Sequence, residues 1–251
     1  DAQEFALTNN VQSRIGIKGE EAIEDGWKGT YRMEFRADVL DNTGDSYGLR
    51  TRLGWLGLEK GDHHFKVGTQ WSPFMQYSAW NTARGESQGL AAYFYVTDEL
   101  KGSMAGFRNN SVISYTYGDG GWGTASPYTG TIALHVGDDD RNVGVQEDLT
   151  NDAGITGVSV AGAATFGSLT LNAVYVKNLV SASDEAAANL DAAKLTADAA
   201  QIAAAKDLIS EPAIYGVGAK MQATKDLEFG FAYRGADRDT KENNYTYTTS
   251  V

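Results

Sequence analysis

Apolar and charged residues alternate through positions 14–38, RIGIKGEEAIEDGWKGTYRMEFRAD. With the period of two of a β-strand, Arg14 and Lys18 share one face and Ile15 and Ile17 the other. After a short gap, Lys28, Arg32, Glu34 and Arg36 again share a face, opposite Tyr31, Met33 and Phe35. This pattern has two physical solutions. A sheet with water on one side buries the apolar residues in a protein core, whereas a barrel in a lipid bilayer turns them outward and keeps the charges in its lumen.

Similar alternation predicts strands near 11–20, 27–38, 47–59, 64–71, 107–118, 128–136, 156–166, 169–177, 213–222 and 227–235. The links alternate in length. Short ones at 22–26, 60–63, 167–168 and 224–226 take turns with long ones at 39–46, 72–106, 137–155 and 178–212, and only the link at 118–127 is of middling length. Tight turns at one end and long loops at the other are the plan of an outer-membrane barrel. The expected fold is therefore all-β: an antiparallel transmembrane β-barrel forming a single domain over residues 1–251. One segment departs from it. Residues 181–211 are Ala-rich, with Asp and Glu early and Lys194 and Lys206 later, and predict a helical insertion within a long loop that ends at Pro212.

Composition agrees with many strands and tight turns: 29 Gly and 13 Tyr stand against 3 Pro and no Cys. No apolar window is long enough for a transmembrane helix, and a mean hydropathy of -0.36 is compatible with strands that are apolar only at alternate positions. A net charge of -12 argues against nucleic acid as a partner. The charge is sorted, however. Nine of the 21 basic residues fall between Arg14 and Lys66, while positions 138–152 hold six acids and only Arg141.

Catalytic chemistry finds no motif: there is no Cys, no Gly-x-Ser-x-Gly elbow, no phosphate-binding Gly loop and no His-Glu-x-x-His. The chain is expected not to be an enzyme and to hold no cofactor. His63 and His64 fall in a predicted tight turn and read as solvated. Asp138, Asp139 and Asp140 offer oxygens to Ca²⁺ but lack the spacing of an EF-hand loop, so a solvated acidic loop is the plainer reading.

Four blocks in order resemble the general porins of the Gram-negative outer membrane. SRIGIKGEEAI (13–23) is similar to the family's second-strand run, TRLGWLGLE (51–59) to its fourth, VGTQWSPF (67–74) to the fifth-strand end before the long third loop, and FRNNSVISYTYG (107–118) to the strand after that loop. The resemblance implies a 16-stranded homotrimeric barrel in the outer membrane, in contact with lipid and lipopolysaccharide, with its third loop folded inward as a constriction at 72–106. About ten strands are counted here, so the sequence is expected to be part of a longer porin, incomplete at both ends.

By the same resemblance, Arg14 and Arg52 match wall arginines and Lys101 falls near another basic wall position; strand alternation adds Lys18, Lys28, Arg32 and Arg50. Glu86, Asp98 and Glu99 are the expected loop acids. Two departures bear on selectivity: Thr69 stands where the family has an arginine, and Arg84 lies beside Glu86. The implied function is a water-filled channel for ions and small hydrophilic solutes, with weak cation preference. A soluble secreted β-sandwich that binds a ligand in its loops, and a barrel acting as receptor or adhesin through residues 181–211, are the alternatives.

Overall fold

The computed structural model describes residues 13–37, 49–79, 107–120, 126–137, 154–179, 213–237 and 244–250. They form eleven strands: β1 (Arg14–Ala22), β2 (Lys28–Ala37), β3 (Leu49–Lys60), β4 (His63–Trp71), β5 (Arg108–Tyr117), β6 (Tyr128–Gly137), β7 (Gly154–Phe166), β8 (Leu169–Asn178), β9 (Ala213–Thr224), β10 (Leu227–Asp237) and β11 (Asn244–Ser250). Each pairs antiparallel with the next, in one sheet ordered β1 to β11. The two-sheet sandwich is thereby set aside. Among the described residues β1 and β11 are the sheet's edges and do not pair with each other.

All ten predicted strands are present, and β11 is an addition to them. The short links close β1–β2, β3–β4, β7–β8 and β9–β10 at one end of the sheet, the middling link from β5 to β6 lies at that same end, and the long links lie at the other. Gly61 and Gly167 make the two-residue turns Gly61-Asp62 and Gly167-Ser168 with φ of 56° and 61°, the left-handed region that a right-twisted hairpin requires and glycine enters freely.

The strand faces are inverted relative to a soluble protein. Tyr31, Leu56, Val67 and Ile113 lie directly opposite one another across β2 to β5, and all four are exposed. Ile132 and Val160 pair in the same way across β6 and β7. The opposite, concave face carries the charges and hydroxyls. Aromatic rings gather on the outer face at the short-turn end: Phe65 contacts Trp27 and Tyr115, with centroids 6.3 and 4.9 Å away, and Tyr128 meets Phe166 at 6.2 Å. An apolar band edged by amphipathic rings is the surface that hydrocarbon and headgroups select.

The core sits on the concave side. After β4 the chain turns inward, and Phe74, Met75 and Tyr77 pack on Ala161, Val174, Val176, Ile214 and Ala236 of β7 to β10. Small residues on those strands leave room for the three large ones. This bears on the expected constriction at 72–106: its first part, residues 72–79, folds into the lumen, while the remainder lies outside the described residues, as does the helical insertion at 181–211.

Candidate functional site

The concave faces of β1 to β3 form charged rows. At the long-loop end Arg14 lies opposite Arg36, and Arg36 opposite Arg50. Four residues along β1 and β2, and five along β3, Lys18 lies opposite Arg32, and Arg32 opposite Trp55. Like charges directly across a ladder are unfavourable, so the rows need a counter-charge. Glu34 supplies it from the level between them.

The Glu34 carboxylate accepts from Arg32 Nη2 at 2.5 Å on Oε2 and from Arg52 Nε at 2.9 Å on Oε1, with Arg14 Nε 4.0 Å from Oε1. Arg52 reaches it through a bulge. Glu34 pairs with Leu53 and Phe35 with Thr51, which leaves Arg52 as the extra residue of β3 and turns it inward, where it is buried with Leu53. Glu34 itself is 7% exposed. A carboxylate this deep is stable only with charge-assisted bonds on both oxygens.

Towards the short-turn end Lys28 Nζ binds Glu20 at 3.0 Å, and Glu59 lies 3.7 Å from Lys66 and 3.4 Å from His64. Lys66 also covers the Trp55 ring, 4.5 Å from its centroid. Facing strands are far less charged. Their inward residues are chiefly hydroxyls, amides and small apolar groups, among them Ser114, Thr129, Thr131, Ser159 and Asn172, all buried.

Arg14, Lys18, Lys28 and Arg32 therefore lie on the inner face, as alternation expects, Arg52 joins them through its bulge, and Arg14, Arg32 and Arg52 converge on one acid. Arg50 belongs to β3, its backbone paired with Arg36 of β2. Lys101, Glu86, Asp98, Glu99 and Asp138 to Asp140 lie outside the described residues. Thr69 differs from expectation. It lies on the outer side in step with the alternation of β4, lining a groove with Val67 and Ile113, where its hydroxyl donates to Asn110 Oδ1 at 3.1 Å. The inward residue at that level is Gln70, which donates to Val112 O and accepts from Ser114 Oγ.

Two participants escape the sequence reading. Tyr77 is fully buried, and its hydroxyl lies 3.2 and 2.9 Å from the Thr129 and Thr131 hydroxyls of β6. Burial raises its pKa above the ordinary phenol value, which keeps the hydroxyl neutral. Arg234 of β10, also without exposed surface, donates from Nε to Ser78 Oγ at 2.9 Å and from Nη2 to Ser78 O at 2.6 Å. Alternation from Glu228 through Gly230 and Ala232 puts Arg234 on the inner face, which is the signal that was available. A lone arginine among small residues carries no motif.

A family model described as Gram-negative porin matches residues 2–251. The chain belongs to the Gram-negative porins. No curated protein matches this porin in sequence. Among solved structures it is similar to an anion-selective porin from Comamonas acidovorans, at TM-score 0.61 and 14% identity over 96% of this chain and 63% of that one. It is also similar to OmpF of Salmonella typhi in complex with daunomycin, at TM-score 0.61 and 16% identity over 93% and 61%. A loop-deletion mutant of OmpT, an outer membrane protein of Vibrio cholerae, gives TM-score 0.55 and 16% identity over 94% and 66%. At such identities the likeness is one of fold.

This porin chain spans just under two thirds of the length of those solved porins. Membership places it in the outer membrane of a Gram-negative bacterium, in a family of channels rather than enzymes. Among the described residues no cluster of His, Asp or Glu could hold a metal ion.

Proposed function

We propose that the protein is a water-filled outer-membrane channel for passive diffusion of ions and small hydrophilic solutes, working as a homotrimer. One observation carries the reading: basic rows on β1 to β3, bridged by Glu34, look across the concave face at an inward loop root held on the opposite strands. Such a gap excludes by size at the loop and sorts by charge at the wall. The outer face supports the membrane and trimer parts of the proposal. Apolar side chains there suit lipid, whereas Thr51, Thr69 and Asn110 in the groove on β3 to β5 suit a second copy better than hydrocarbon, which offers polar groups no partner.

Selectivity is weak in this proposal, and its sign is set by whichever charges lie nearest the path. Overall acidity and the loop acids Glu86, Asp98 and Glu99 favour cations. The wall favours anions, because Arg14, Lys18, Arg32 and Arg52 outnumber Glu34 among the charges gathered there. The wall charges are the ones the described strands hold in place, and we take anion preference as the better supported sign. Reversal potential across a bilayer in a salt gradient tests it. A potential of the anion sign that shrinks with ionic strength supports the wall; one of the cation sign means that loop and rim acids dominate, and absence of any conductance overturns the channel reading itself.

A further inference from the structure

The root of the inward loop is attached at points distributed across half the sheet. Ser72 begins it: its hydroxyl accepts from Met75 N at 3.0 Å, and its own backbone N donates to Phe107 O at 3.0 Å. Tyr77 then ties to β6 through Thr129 and Thr131, Phe74 and Met75 pack on β7 to β9, and Ser78 meets Arg234 on β10. A third feature converges on Ser78. A Cβ placed on Gly216 of β9 would lie 2.6 Å from Ser78 Oγ, so glycine at that position is what lets the serine approach the wall.

A guanidinium with no exposed surface cannot touch a solute in transit. What it can do is hold. Its planar fork presents Nε and Nη2 to two oxygens of one residue at a fixed orientation, an arrangement that a single ammonium cannot reproduce. The loop root is thereby fixed relative to β10 in position as well as in contact.

Resting on the channel reading, we propose that Arg234 is a positioning residue for the constriction: it clamps Ser78 against β9 and β10, with Gly216 providing the space, and so sets the gap between the inward loop and the basic wall. Solute is confined to the β1 to β4 side, because at this level the β6 to β10 side is filled by Phe74, Met75 and Tyr77.

The test compares Arg234→Met, Arg234→Lys, Gly216→Ala and Ser78→Ala in the full-length protein, reconstituted in planar bilayers. Heat-modifiable migration in detergent gels verifies that each barrel has folded, and conductance of the unsubstituted protein establishes the channel separately from the clamp. Arg234→Met and Gly216→Ala should raise open-channel current noise several-fold and blur the size cut-off for neutral polymers. Ser78→Ala, which keeps the carbonyl contact, should lie between them and the parent. Arg234→Lys should not restore the quiet state. Folded Gly216→Ala and Ser78→Ala channels with native noise and cut-off overturn the clamp even if Arg234→Met does not fold, and full rescue by lysine overturns it in favour of a purely electrostatic role.

Discussion

Arg52 Nε donates to Glu34 Oε1 at 2.9 Å across β2 and β3, and it does so only because a bulge in β3 turns Arg52 inward. The pair is where stability and selectivity meet. Glu34→Gln leaves Arg14, Arg32 and Arg52 facing one another without the charge that holds them. We expect a loss of about 3–5 kcal/mol, as for breaking a buried ion pair, and a reversal potential shifted towards anions. Unfolding in denaturant and bilayer recording on the same preparation check both.

Tyr77→Phe keeps the ring's packing and removes only the hydroxyl shared with Thr129 and Thr131. The expected cost is about 1–3 kcal/mol, that of leaving buried hydroxyls short of a partner. It should be seen as a lower temperature for loss of the compact form in detergent gels.

Gly68 carries φ of 127°, and a Cβ there would lie 2.2 Å from Gly54 O. Gly68→Ala must push β4 away from the β3 backbone at Gly54 and Trp55. A penalty of about 2 kcal/mol or more is expected from the backbone conformation and the clash together, measured as reduced refolding yield into detergent micelles.

Ile132 faces outward at mid-strand of β6, opposite Val160. Arginine at this position should cost about 2–4 kcal/mol if hydrocarbon surrounds it. The inward substitution Lys18→Glu should leave stability nearly unchanged and move the reversal potential towards cations. Equal tolerance of the two substitutions would contradict the assignment of faces.

Lys28 and Glu20 form an ion pair at 3.0 Å with both side chains half or more exposed. Lys28→Ala should change stability by less than about 1 kcal/mol, the usual worth of such a pair. A larger loss by chemical denaturation would mean that water does not reach this part of the lumen.

The strands were legible because a bilayer-facing wall imposes one rule, alternation, with little tertiary context to override it. β11 was missed since NYTYTTS has no aliphatic residue to mark the outer face, only Tyr245 and Tyr247 between threonines and asparagine. Bulges limited the rest. Arg52 and Leu53 both turn inward because one extra residue breaks the period on which the reading depends, whereas Thr69 keeps the period of β4 and faces out with Val67, against the resemblance. Arg14 and Arg52 were found by resemblance and Arg32 by period. The role of Glu34 as their common counter-charge needed the register between strands, and Arg234 and Tyr77 needed a contact between a loop and strands far along the chain.

That last contact has a bearing on how the molecule assembles. Among the described residues every strand pairing joins neighbours in sequence, so hairpins can zip one after another with little chain entropy to overcome at each step. Ser78 and Arg234 are 156 residues apart, and their bond can form only when the growing sheet has curled far enough to bring β10 over the turn that follows β4. The loop root is thus a gauge of curvature, and a sheet that closes too flat or too tight leaves a buried guanidinium with no serine to meet.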